Sequence, residues 1–174
     1  MSPTRRELLV LAAAAATAGC GYRVAGRADL LPKSVRTIAI PAWSNATVRH
    51  RLSERLPAAL TREFIARTRY QVIPDPSQAD AVLNGGVLNL YSYPTTFDPV
   101  TGRASGVQLI VVLQAKLTER ATGKVLFERL SIEARQRYEI SVDQVAYFEE
   151  SNAALERVSQ DVARQLVSAI LENF

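Results

Sequence analysis

The sequence predicts an α+β fold, a two-layer sandwich in which one mixed or antiparallel sheet of four to five strands carries two helices on one face. Two apolar patterns and the order of the elements carry this reading. Val107, Leu109, Val111, Leu113, Ala115 and Leu117 alternate with residues that include Gln108, Gln114, Lys116 and Thr118, so this strand has one apolar and one mostly polar face. Leu155, Val158, Val162, Leu166, Ile170 and Phe174 advance in steps of 3, 4, 4, 4 and 4, an apolar stripe down one side of a helix. The order β-α-β-β-β-β-α then lets one helical layer bury every stripe, leaving the other sheet face for solvent or a partner.

At the N-terminus, Arg5 and Arg6 precede eleven uncharged residues, Leu8 to Ala18, which is the layout of a secretory leader. A membrane-spanning helix needs about 20 apolar residues, so this run is too short to remain as an anchor. Thr4, Arg5 and Arg6 before Leu8 and Leu9 also suit a twin-arginine export signal, and the export route stays open. The stretch Thr17-Ala18-Gly19-Cys20 resembles the lipobox of bacterial lipoprotein precursors, with Thr17 in place of the usual leucine. That resemblance implies a diacylglycerol on the Cys20 thiol, cleavage before Cys20 and acylation of the new amino terminus. Two or three acyl chains hold a protein durably on a bilayer where one does not.

The expected organisation is a leader over 1–19, a lipidated tether over 20–33 and a single domain over 34–174. Cleavage leaves about 155 of the 174 residues, enough for one domain with a proper core. Cys20 is the one cysteine, so internal disulfides are excluded. Loss of Arg5, Arg6 and Glu7 lowers the formal charge from +4 to about +3. That mild excess on an exported chain argues against nucleic acid and is compatible with anionic headgroups or sugar phosphates.

Within the domain, Ser34 to Pro41 reads as a short β-branched strand that Pro41 stops, and Ser44-Asn45-Ala46-Thr47 as turn chemistry. Leu52, Leu56, Leu60 and Phe64 predict a helix from about Arg51 to Arg67, with Pro57 the awkward residue. Tyr70 to Pro74 is a second strand. Ala81 to Pro94 is a longer one, in which Gly85 and Gly86 predict a bulge or a close backbone approach. A long hairpin loop, Thr95 to Gly106, then exposes Phe97 and Arg103. Gly123 suits the tight turn before the last strand. There, Val125 and Phe127 lie on one parity and Leu130, Ile132 and Ala134 on the other, which predicts a bulge near Glu128 and Arg129.

Catalytic chemistry is not evident. His50 is the only histidine, which excludes a histidine metal cluster, and beside Arg49 and Arg51 it reads as a solvated residue at a helix entry. Glu149 and Glu150 are adjacent on a helix and point apart, which suits charge near a helix N-terminus better than a shared reacting centre. No nucleophile stands at a recognisable spacing from a base. The chain reads as a non-enzyme with no cofactor beyond the covalent lipid on Cys20.

Two segments carry a wider resemblance: "TIAIPAWSNAT", and "FIARTRYQVIPDPSQADAVLNGGVLNLYSYP" with its Ala79-Asp80-Ala81 and tyrosine-rich strand. The chain resembles the lipopolysaccharide-assembly lipoprotein family, LptE, over nearly the whole mature length. The resemblance implies a two-helix, single-sheet domain tethered to the periplasmic face of the outer membrane, plugging a large β-barrel partner and assisting lipopolysaccharide delivery. Only Cys20 carries over position by position. For lipopolysaccharide or other anions the candidates are outward cations, Arg103, Lys116, Arg120, Arg135 and Arg137, with Lys116, Arg135 and Arg137 expected to converge on the open sheet face. The alternative partner is a peptidoglycan synthase activated by docking. A tether of about 14 residues, roughly 45 to 50 Å when extended, favours a partner at the membrane.

Overall fold

Residues 31–49, 51–140 and 144–172 are described by the computed structural model. The leader, Cys20 and the tether as far as residue 30, together with His50 and Phe174, lie outside the described residues, as do the side chains of Glu149 and Glu150. The strands are Thr37–Ala39 (β1), Ser44–Asn45 (β2), Gln71–Ile73 (β3), Ala81–Phe97 (β4), Ala104–Glu119 (β5) and Val125–Glu139 (β6). The helices are Leu52–Arg67 (α1) and Gln144–Glu172 (α2). They form one sheet in the order β3-β1-β4-β5-β6, with β2 beside β4. β1 runs parallel to β3 and β4, and β2 parallel to β4, while β4, β5 and β6 form an antiparallel meander. Parallel neighbours need a crossover, which α1 supplies between β1 and β3.

The mixed sheet with its two helices is the expected layout, with six strands rather than four to five. The extra strand comes from the stretch read as turn chemistry, where Ser44 and Asn45 pair with Gly86 and Val87. The turn follows directly. Asn45 Oδ1 accepts the Thr47 N–H at 2.9 Å and the Thr47 hydroxyl at 2.8 Å, and its Nδ2 donates to the Arg49 carbonyl at 2.9 Å. An Asn side chain replaces backbone partners in this way where the chain reverses.

Pro57 lies inside α1 without ending it. A proline has no N–H for the carbonyl four residues earlier. That carbonyl, Ser53, accepts the Trp43 N–H at 3.2 Å instead. Trp43 is thereby held between α1 and the sheet, over Gly85, where a Cβ would stand 2.4 Å from the indole Cε2. Gly85 therefore marks a close approach. The first bulge in β4 is at Leu88, because Val87 pairs with Leu113 and Asn89 with Val112, and the register shifts again between Pro94 and Phe97.

α1 and α2 run in the same direction on one sheet face. Arg55 Nη1 donates to the Asn152 carbonyl at 2.9 Å, Arg62 pairs with Glu156 at 3.0 Å, and Arg67 Nη1 donates to Ser168 Oγ at 2.8 Å. Beneath them Leu56, Leu60 and Phe64 of α1 and Val158, Val162 and Leu166 of α2 share one core with Leu83, Leu113 and Leu117. Each of these large side chains contributes roughly 1.5–3 kcal/mol by burial. Leu31 is also buried, so packing begins inside the stretch read as tether.

Two strand details differ from expectation. In β6 the bulge expected near Glu128 and Arg129 is present one step on, at Leu130 and Ser131, since Ile132 pairs with Leu113 and Arg129 with Ala115, and a second register shift falls between Phe127 and Val125. Leu130, expected inward with Ile132 and Ala134, sits in that bulge and is 70% exposed. The loop read as Thr95 to Gly106 is short, because β4 continues to Phe97 and β5 starts at Ala104. Asp98 closes it. Its Oδ1 accepts the N–H groups of Val100 and Thr101, and Gly102 takes the positive φ of 67° that the reversal needs.

Candidate functional site

Alternation along β4, β5 and β6 sends one set of side chains into the helical layer and the other to the open face. Strand register lines the open set up in rows. Tyr91, Ile110 and Arg135 form one row, and Tyr93, Gln108 and Arg137 the next. The two tyrosines are nearly half exposed, whereas Ile110 is buried although it faces away from the helices. The result is an aromatic and apolar strip bordered by arginine on a face that neither helix covers. Further along β4 the strip reaches exposed Phe97 beside the closed loop.

The cations named from sequence are distributed unevenly. Arg135 Nε meets Glu133 Oε1 at 2.7 Å, and this bond and charge hold its guanidinium above the usual arginine range, with Tyr93 and Tyr91 adding to the effect. Arg137 lies on the same side, two residues on, and pairs with no described carboxylate. Lys116 shares the face but stands six positions along β5 from Ile110, roughly 20 Å away at strand rise. Its ammonium meets Glu128 across the strands at 3.2 Å. The three cations do not converge, because register separates Lys116 from the arginines. Two of them also meet a carboxylate.

Arg103 lies exposed in the closed loop, where its carbonyl accepts the Asp98 N–H at 2.8 Å. Arg120 sits at the opposite end of the sheet. Its Nε donates to the Ala79 carbonyl at 2.7 Å and its N–H to the Asp80 carbonyl at 2.8 Å. The Ala-Asp-Ala segment explains itself at this end. Asp80 Oδ2 accepts the N–H groups of Arg36 and Thr37 and the Thr37 hydroxyl, each at 2.9 Å, which ties β1 to β4 and holds the carboxyl below its ordinary range. Ala79 and Ala81 are fully buried on either side. Glu119 makes a second latch, accepting the hydroxyls of Ser34 and Thr122 at 2.6 Å each, which lower its pKa.

Tyr91, Tyr93 and Ile110 are the site residues that sequence reasoning passed over. In sequence Tyr91 and Tyr93 share the parity of the buried Ala81, Leu83 and Val87, so alternation alone turns them inward; the bulge at Leu88 sends them to the open face, and register with β5 places Ile110 between Tyr91 and Arg135. Among the described residues no group of three or more His, Cys, Asp or Glu could hold a metal ion. None of the described helices is long and apolar enough to cross a membrane.

The fold has known counterparts. Lipoprotein B from Nitrosomonas europaea matches with a TM-score of 0.55 at 17% identity, over 88% of this chain and 96% of its own. Rare lipoprotein B from Shewanella oneidensis matches with a TM-score of 0.51 at 14% identity, over 78% of this chain and 94% of its own. At these identities the likeness is one of fold alone. No curated protein matches in sequence. The family model described as "LptE: Lipopolysaccharide-assembly" matches residues 35–170, from the start of β1 almost to the end of α2. The two-helix, single-sheet chain belongs to the LptE lipopolysaccharide-assembly family, which is not a cofactor-binding one.

Proposed function

We propose that this protein is an outer-membrane lipoprotein, anchored through Cys20 on the periplasmic face, that plugs and supports a large β-barrel translocon and assists lipopolysaccharide assembly without catalysis. The observation that carries this reading is the uncovered strip of Tyr91, Tyr93 and Ile110 between the base of the sheet and Phe97 at its tip. Exposed aromatic side chains on an open sheet face favour a protein or glycolipid partner, since tyrosine offers a large apolar surface with a polar end. Family membership supports the assembly role, and Arg137 offers a cation to phosphate beside that strip.

The test is affinity purification from detergent-solubilised membranes. A large β-barrel recovered in near-equal amount supports the reading. Recovery of a peptidoglycan synthase in its place overturns it in favour of docking and activation of that enzyme. The anchor has its own measurement: the mature N-terminus should carry acyl chains on Cys20 by mass spectrometry, and Cys20→Ala should leave the precursor unacylated and uncut at this site. An unmodified thiol refutes the anchor.

A further inference from the structure

At the base of the domain, where the described chain begins, an open cavity of about 880 Å³ is lined by Leu31, Val35 and Tyr70 together with Lys33, Arg36 and Arg69. Leu31 and Val35 are nearly fully buried and give the cavity an apolar side, while the three cations are exposed. Asp80 is the one carboxylate among the lining residues, and its Oδ2 is already occupied by the N–H groups of Arg36 and Thr37 and the Thr37 hydroxyl. None of the described ion pairs involves Lys33, Arg36 or Arg69. Three cations facing one committed carboxylate in a shared opening leave a positive field that an anion relieves.

The chain's course indicates which anion. The Leu31 N–H donates to the Tyr70 hydroxyl at 3.2 Å, so the first described residue lies at this cavity. Cys20 lies eleven residues earlier, at most roughly 36 to 40 Å of extended chain away. A cation cluster next to a lipid anchor is the second contact that makes membrane attachment oriented, because basic groups close to a bilayer are drawn to anionic headgroups. The apolar side formed by Leu31, Val35 and Tyr70 suits the glycerol and first methylenes of a lipid. A free inorganic phosphate would gain nothing from it.

We propose that this cavity binds the phosphate of an anionic glycerophospholipid in the bilayer holding the Cys20 acyl chains, fixing which end of the domain faces the membrane. The source of the lipid rests on the anchored-lipoprotein reading; the binding itself does not. The test titrates the purified protein, in nonionic detergent and at low salt, with dihexanoyl phosphatidylglycerol below its micelle concentration. Dihexanoyl phosphatidylcholine and inorganic phosphate are titrated in parallel. Phosphatidylglycerol should bind at least tenfold tighter than either. The combined Lys33→Gln, Arg36→Gln and Arg69→Gln variant should lose at least tenfold of that affinity, each single change two- to threefold, and Arg157→Gln on the exposed side of α2 none. Equal binding of the two lipids, or full affinity in the triple variant, overturns the site. Inorganic phosphate binding as tightly as phosphatidylglycerol overturns the lipid and leaves a free-anion site. Should the triple variant not fold, the single variants decide. Mass spectrometry of Cys20 on the same preparation separates failure of the anchor from failure of the cavity.

Discussion

The two ends of β4 belong to one strand and obey different rules. Over its first seven residues Ala81, Leu83 and Val87 are buried, β1 and β2 pair along its outer side, and Asp80 ties it to β1. Beyond Leu88 those neighbours are gone, so the strand pairs only with β5 and becomes an edge. Ser92, Tyr93, Pro94, Thr96 and Phe97 are exposed there. Pro94 suits an edge because a strand with no neighbour on one side can spare an N–H, and it discourages pairing with a stray strand. The base therefore carries the stability. The distal end is a presented surface whose composition folding constrains only weakly.

The largest test of this division is a pair of truncations. Leu117→Ala at the base leaves a cavity in the buried core and should cost about 2–5 kcal/mol in urea denaturation. Tyr93→Ala at the distal end should stay within about 0.5 kcal/mol. Equal losses would dissolve the distinction between the two ends.

Gly85→Ala comes next. The added Cβ would press on the indole of Trp43, whose backbone is held by its N–H to the Ser53 carbonyl, so we expect a loss of about 1–3 kcal/mol. Combining it with Trp43→Leu should cost clearly less than the sum of the two single changes. Additive losses would mean that the glycine answers to something other than the indole.

The Asp80 latch gives an effect of similar size that depends on pH. Asp80→Ala removes three hydrogen bonds to a carboxylate and should cost about 1–3 kcal/mol at neutral pH. Because folding lowers the pKa of Asp80 from its ordinary 3.8, its contribution is complete above that value and fades as pH falls through the lower folded value. The melting-temperature gap between wild type and variant should therefore close below about pH 3.8. A gap independent of pH from 7 to 2.5 would assign the loss to packing around Ala79 and Ala81.

These contrasts also show what the sequence could disclose. Period-2 and period-3.6 apolar spacing located β5 and α2, because burial on one face leaves a mark on every second or every third to fourth residue. The two-residue β2 left no such mark, since so short a strand has no period, and Asn45 looked like turn chemistry because it also builds the turn that follows. Pro57 could not be resolved from helix rules alone, as the acceptor it frees, Ser53, is satisfied by Trp43 from the segment before the helix. The open-face cations were legible as outward residues. Which of them meet carboxylates depends on cross-strand register, and a bulge at Leu130 and Ser131 shifts that register between Lys116 and Arg135.

The smallest effect on folding should accompany the largest effect on partnership. Tyr91 and Tyr93 are nearly half exposed, so Tyr91→Ser with Tyr93→Ser should change stability by less than about 1 kcal/mol. If the strip is the docking surface, the same change should cut recovery of the β-barrel several-fold, because aromatic side chains at the centre of an interface carry a disproportionate share of its energy. Arg137→Gln should lower recovery less and mainly at low salt, as expected of a charge at the rim. Lys116→Gln should do least of all, since that ammonium lies remote from the strip and already has Glu128 beside it. Unchanged recovery in the double tyrosine variant, with a stability loss comparable to Leu117→Ala, would reverse the assignment: the distal end would then be part of the core, and the partner surface would have to lie elsewhere.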